Sequence, residues 1–231
     1  MEIRFLVING SERSNGNTEI AIDIAKSILN KISGDNKVIF DVISLKDLMI
    51  KSCNDCHEVE NCNYRKEPCQ QNDDIKIVLK KMKEADCLIY ATPVHGFGMP
   101  SLMQSFIDRV GVGYLRFERP LSNKIGGIIA VGRRYAHASV FSQLIQNFLL
   151  NRMIVVGSGF PVYLNGGKKG EIKTDKEGID SLYRMVIRMF NFALFIKLNN
   201  GNAYELNDLL NNNEREYIYF ENCNNKLNIT S

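Results

Sequence analysis

Along the chain, runs of β-forming apolar residues alternate with segments whose apolar positions recur every three to four residues. The runs predict strands over Ile3–Asn9, Val38–Ser44, Cys87–Thr92, Ile125–Val131 and Met153–Gly157. Several are unbroken (FLVI, LIYA, IIAV, MIVV), the pattern of strands covered on both faces of a parallel sheet. Between them, Ile20, Ile24, Ile28 and Ile32 step by four, with Ala21, Ala25 and Leu29 alongside. Ile75, Val78, Leu79 and Met82 form a second helical stripe, with Asp73 or Asp74 placed to cap it. A third, Leu102, Met103, Phe106, Ile107 and Val110, follows Pro100, a residue tolerated in a first helical turn. Val140, Phe141, Leu144, Ile145 and Phe148 make a fourth stripe, and Ile179, Leu182, Val186, Phe190 and Leu194 a fifth. Five βα units in succession predict an α/β, doubly wound, five-stranded parallel sheet with right-handed crossovers.

Two segments fall outside this repeat. Residues 51–72 are polar and hold four cysteines, and the chain from Asn199 onward is rich in asparagine. The expected organisation is one domain over 1–198, with 51–72 as a cysteine-rich loop insertion. A C-terminal extension over 199–231 is either a tail or an oligomerisation arm.

Composition narrows the class. With 45% hydrophobic and 24% charged residues the chain reads as a globular protein, and a net charge of +3 is too mild to argue for nucleic acid. The start, MEIRFLVING, reads as a strand rather than a signal peptide, and no apolar run approaches the roughly 20 residues that cross a bilayer. A cytoplasmic protein with no membrane partner is the expectation. The six cysteines then read as thiols or metal ligands rather than disulfides.

The first strand runs into Gly10-Ser11-Glu12-Arg13-Ser14-Asn15-Gly16-Asn17-Thr18, after which a helix begins. A polar loop between a strand and a helix N-terminus is an anion site, because unpaired backbone N–H groups and the helix dipole both favour negative charge there. Ser11, Ser14, Asn17 and Thr18 add side-chain donors, and Arg13 either adds charge or lies over the loop. No Gly-Lys-Ser/Thr follows, and the glycines do not fit a dinucleotide turn. Hydroxyl and amide donors suit a terminal phosphate monoester such as that of FMN.

On these residues the chain resembles the flavodoxin-like NADPH-dependent FMN reductase family, and especially its iron–sulfur flavoprotein branch. Gly10–Thr18 matches G-S-x-R-x-x-G-N-T, Thr92-Pro93-Val94-His95-Gly96 matches S/T-P-V-Y-x-G, and Phe106-Ile107-Asp108-Arg109 matches F-I-D-R. The resemblance spans about residues 1–165. It implies a flavodoxin-like sheet of order 2-1-3-4-5, with FMN held by Ser11, Arg13, Ser14, Asn15, Asn17 and Thr18 at its phosphate. The ring would lie against Pro93, Val94, His95, Gly96 and Phe97 and against Gly132, Arg133 and Arg134. His95 stands where the family has Tyr, and Gln104 where it has Lys. His95 is the candidate for catalytic proton transfer, histidine being suited to it near neutral pH. Asp108 and Arg109 read as a structural pair holding their helix. Assembly as a homodimer or homotetramer is also implied.

Cys53, Cys56, Cys62 and Cys69 are spaced C-x2-C-x5-C-x6-C. Four thiolates on one loop can wrap a single tetrahedral or cubane centre. The iron–sulfur flavoproteins carry a more compact cysteine motif at this place and bind a [4Fe–4S] cluster. Zinc, with His57 as a possible ligand, and free thiols remain open. Cys87 reads as a core residue and Cys223 as a lone thiol.

The combined expectation is an FMN-dependent oxidoreductase that couples a [4Fe–4S] cluster to the flavin. Its partners would be a redox donor, NAD(P)H or a ferredoxin, and a small-molecule acceptor. The alternatives are a cluster-free NAD(P)H:FMN or quinone reductase and a non-catalytic flavodoxin-type carrier, which usually has an acidic surface. A receiver-like regulator lacks the acidic cluster it needs after strand one. No second Gly-rich nucleotide unit is present, so a pyridine nucleotide is expected to dock directly over the flavin.

Overall fold

The computed structural model describes residues 1–53, 69, 71–110 and 120–199. Cys56, His57, Cys62, Cys223 and the expected tail lie outside the described residues.

The described elements are β1 (Glu2–Asn9), α1 (Asn17–Ile32), β2 (Lys37–Ser44), α2 (Ile75–Glu84), β3 (Cys87–Pro93), α3 (Ser101–Val110), β4 (Ile125–Gly132), α4 (His137–Leu150), β5 (Ile154–Val155), β6 (Tyr163–Asn165) and α5 (Lys176–Asn199). The strands form one sheet in the order β2-β1-β3-β4-β5, with β6 also on β4, and every pairing is parallel. This is the expected flavodoxin-like order. Helices α1 and α5 cover one face, around Phe5, Leu29, Ile89, Leu182 and Phe190. The other face packs Leu88 and Tyr90 of β3 against Phe106 of α3 and Phe148 of α4. Cys87 is buried in the first of these cores, as expected, and burial pushes its thiol well above the ordinary range.

All eight residues of the central β4 are buried, and its glycines explain how. A Cβ on Gly126 would meet the Phe148 ring at 2.8 Å, and one on Gly127 would meet the Met189 sulfur at 2.5 Å. Helices on both faces therefore press directly onto this strand.

The fifth strand departs from expectation. A single strand over Met153–Gly157 is replaced by two short ones, β5 at the start of β4 and β6 at its end. The ladder stretches to 3.4 Å where Val156 N donates to Gly126 O. The chain then passes through Gly157, Ser158, Gly159 at φ +95 and Pro161, which has no N–H to give a ladder. It rejoins when Ala130 N donates to Val162 O at 3.1 Å. No helix among the described residues is long and apolar enough to cross a membrane.

Candidate functional site

The parallel register brings the carboxyl ends of β1, β3, β4 and β6 to one edge, where Gly10 N donates to Ala91 O, Val94 N to Val131 O and Gly166 N to Gly132 O. Ligands of open α/β sheets sit at such an edge. Gly10 leaves β1 beneath α3, where a Cβ would meet the Met103 sulfur at 2.9 Å and Thr92 Oγ1 at 3.0 Å. The loop after it is then organised from within. Asn9 Oδ1 accepts from Ser11 N at 3.0 Å, and Ser11 Oγ accepts from Arg13 N at 3.2 Å. Helix α1 starts at Gly16, whose residue type supplies no side-chain cap, so the first-turn amides face outward with the dipole behind them. Ser11 and Thr18 are buried, whereas Glu12, Arg13, Ser14 and Asn15 are exposed. Glu19 accepts from the Asn15 amide and pairs with Lys46 at 3.0 Å, and Lys46 also donates to Ser14 Oγ at 2.9 Å.

The loop after β3 is a tight turn in which His95 and Gly98 exchange backbone hydrogen bonds of 2.9 and 3.0 Å. Its central residues, Gly96 at φ 56 and Phe97 at φ 63, are both left-handed. That conformation is free for glycine and strained for phenylalanine. The turn holds the Phe97 ring 76% exposed. The loop after β4 passes through Gly132, where a Cβ would meet His137 Nε2 at 2.9 Å, and through Ala136 at φ 62. Five described non-glycine residues have positive φ, and three of them (Asn15, Phe97, Ala136) sit one in each of these loops. Backbone strain of this kind is common at functional sites.

A fourth loop, after β6, is tied to the first and third of these. The Asn17 side-chain amide donates to Gly166 O at 3.2 Å and Lys168 O at 2.9 Å, and its oxygen accepts from Gly170 N at 2.7 Å. Glu171 accepts from the amides of Gly167 and Lys168, and these bonds hold its carboxyl below the usual range. Arg133 packs on Gly167, with its side chain 3.2 Å from where a Cβ would stand, and its charge acts on Glu171. Arg133, Arg134, Tyr135, Gly167 and Lys168 line a cavity of about 970 Å³.

The chain matches the model of the NADPH-dependent FMN reductase family over residues 3–165. It belongs to that family. It is 34% identical over 204 residues to an iron–sulfur flavoprotein of Methanocaldococcus jannaschii, covering 84% of this chain and all of that one. This similarity places it on the iron–sulfur flavoprotein branch. Among solved structures it is similar in fold to RosB with bound 8-demethyl-8-formylriboflavin-5'-phosphate (TM-score 0.65, 20% identity, 85% of this chain and 81% of that one). It is also similar to the flavodoxin, WrbA-like protein of Agrobacterium tumefaciens (TM-score 0.56, 11% identity, 84% and 98%). The chain is thus a flavin-dependent oxidoreductase of flavodoxin-like fold, and FMN is the family's flavin.

The residues of this FMN reductase-family chain fit that group. The α1 amides have no side-chain cap, two buried hydroxyls flank them, and a Cβ on Gly96 or Gly98 would meet nothing within 4 Å. A phosphate and a flat ring therefore both find room.

The cysteine-rich segment begins and ends in a stitched neck. Asp74 N donates to Met49 O at 2.9 Å, Met49 N to Asp74 Oδ2 at 2.8 Å, Lys51 N to Asp73 Oδ2 at 3.0 Å and Gln71 Nε2 to Ser52 O at 3.2 Å. Cys53 follows this neck and Cys69 precedes it. Among the described residues no three potential ligands group together, Cys56 and Cys62 lying outside them.

Arg109 and Asp108 do not pair with each other. Arg109 pairs with Asp73 at 2.7 Å, the two side chains 2% and 0% exposed, while Asp108 accepts from Gln104 at 2.7 Å on the outer face of α3. Burial pushes the Asp73 carboxyl up, but the bonds from Arg109, Lys51 N and Ile75 N outweigh it and the pKa is lowered. Asp73 reaches the Ile75 amide at 3.3 Å, so it serves the start of α2, whereas Asp74 turns to Met49.

Sequence reasoning missed Lys46, which no motif marks, and buried His137. The His137 Nε2 lies 3.3 Å from Leu164 O, fastening α4 to β6. His95 is exposed in its turn.

Proposed function

We propose that Ser11–Thr18 holds the phosphate of FMN and that the isoalloxazine lies against Pro93–Phe97 and Gly132–Arg134. The observation that carries this reading is the uncapped α1 N-terminus between the buried hydroxyls of Ser11 and Thr18. When bound, FMN supplies one- and two-electron chemistry. Asn17 acts there through its backbone N–H, since its side chain holds the 166–170 loop. Phe97 provides a flat wall, and His95 on the same turn is our candidate for moving a proton at the ring edge. FMN should bind tightly and riboflavin far more weakly; equal affinities in a fluorescence titration would overturn the assignment.

We further propose a [4Fe–4S] cluster on Cys53, Cys56, Cys62 and Cys69, giving a one-electron partner to the flavin. Four cysteines in one segment support this, as does the likeness to the iron–sulfur flavoprotein of M. jannaschii. The donor is NAD(P)H or a ferredoxin, and the acceptor a small molecule. A nucleotide reaching the ring can lay its phosphates against Arg134 and Lys168 in the adjoining cavity, which the sequence did not suggest. Anaerobic stopped-flow reduction separates the donors: reduction that saturates with a pyridine nucleotide and weakens in Arg134→Ala supports the cavity, and reduction by ferredoxin alone rejects it. A homodimer or homotetramer would cover Phe97, Tyr135 and Phe160, each at least 65% exposed.

A further inference from the structure

We infer that Arg109 is a positioning residue for the cysteine-bearing segment, its guanidinium closing the neck from which Cys53 and Cys69 depart toward the proposed cluster. The inference rests on the cluster reading above. Helix α3 presents two residues one turn apart to the neck. Ser105 Oγ lies 3.3 Å from Ser52 Oγ, and four residues on, Arg109 reaches beneath. Arg109 Nη1 donates to Lys51 O at 2.8 Å on the outgoing side of the neck and to Asp73 Oδ2 at 2.7 Å on the returning side. Nη2 adds Asp73 Oδ1 at 3.2 Å. One planar fork therefore spans both sides, a geometry that a point-charge ammonium cannot reproduce.

The same guanidinium lies close enough to Cys69 for its charge to act there. Its Nε is buried and has no hydrogen-bond partner. An orphaned cationic donor beside a cysteine suits a sulfur that carries negative charge, as a ligating thiolate does. Fold stability alone is a poor explanation for the arrangement, because a buried ion pair is often matched by apolar residues of the same volume. A fork that holds Lys51 and Asp73 together does what apolar residues cannot. It fixes where the first and last cysteines leave the body of the protein, and a cation beside a ligand sulfur favours the reduced cluster. Because α3 follows directly on the loop over Val94–Pro100, the clamp also ties the segment to the element that carries the proposed flavin wall.

The test uses anaerobically purified wild type, Arg109→Lys and Arg109→Gln, with FMN content as the check on folding. Three readouts are taken: iron per chain, the rate of iron loss to a chelator, and the cluster midpoint potential. Both variants should retain FMN. Arg109→Lys keeps the charge without the fork and should lose iron faster, on the scale of about 10–100-fold seen when a partner of a metal ligand is removed. Arg109→Gln should in addition lower the midpoint potential relative to Arg109→Lys. If Arg109→Gln does not fold, the chelation rate of Arg109→Lys decides alone. Wild-type iron with unchanged retention in Arg109→Lys overturns the inference and leaves the cluster reading standing. Wild type without iron overturns both.

Discussion

The phosphate loop and the cysteine neck lie on the same edge of one sheet and are built in opposite ways. The first is local. Bonds join Asn9 to Ser11, Ser11 to Arg13 and Asn15 to Glu19, none spanning more than four residues, and the proposed binding groups are backbone amides at a helix start. The second is assembled across the chain. Its central fork joins Arg109 to Asp73, 36 residues away, and to Lys51, 58 away. A local site survives the loss of any one side chain because the amides remain. A site closed by one buried fork depends on that fork.

The largest expected effect follows from this difference. Asp73→Ala strands the Arg109 charge in a buried position, and unfolding in urea should show a loss of about 3–5 kcal/mol. A loss under 1 kcal/mol would mean that the neck is held otherwise. Next comes the loop: Ser11→Ala with Thr18→Ala should weaken FMN binding by roughly 1–3 kcal/mol, the scale of lost charge-assisted hydrogen bonds, while stability changes little. A double variant that binds FMN as wild type does would move the phosphate elsewhere.

The same contrast explains what was legible in the sequence. The two-sided strands and the polar turn from β1 into α1 could be read because each depends on residues close together in the chain, whereas the sheet order came with the family resemblance. The split of the fifth strand was signalled only by Gly157, Gly159 and Pro161, and a run such as MIVV masks such a break. Asp73 looked like a helix cap and Arg109 like the neighbour of Asp108, because sequence adjacency is all that a motif such as F-I-D-R shows. Lys46 and the loop bound by Asn17 and Arg133 were invisible for the same reason: their partners lie 27 or more residues away.

Smaller effects sharpen the comparison. Lys46→Ala removes a half-buried pair with Glu19 and should cost roughly 0.2–1 kcal/mol of FMN affinity, measured by the same titration. The smallest is a pH effect at Glu171. Its carboxyl lies below its ordinary value of 4.5 because the Lys168 and Gly167 amides donate to it. Its contribution is therefore complete above about 4.5 and is lost as pH falls through the lower folded value. Hydrogen exchange at those two amides should quicken relative to Glu171→Gln only in that acidic window. Equal protection in both proteins at neutral pH would show that the charge is not what holds the loop.

Two centres are proposed for this chain, a flavin on the local loop and a metal cluster on the clamped segment. The most direct test is a visible spectrum with iron and acid-labile sulfide analysis of the full chain purified without oxygen. The account predicts one FMN and about four irons with matching sulfide per chain, with broad absorbance near 400 nm beneath the flavin bands. Flavin bands alone, with zinc or no metal on the cysteines, would contradict it.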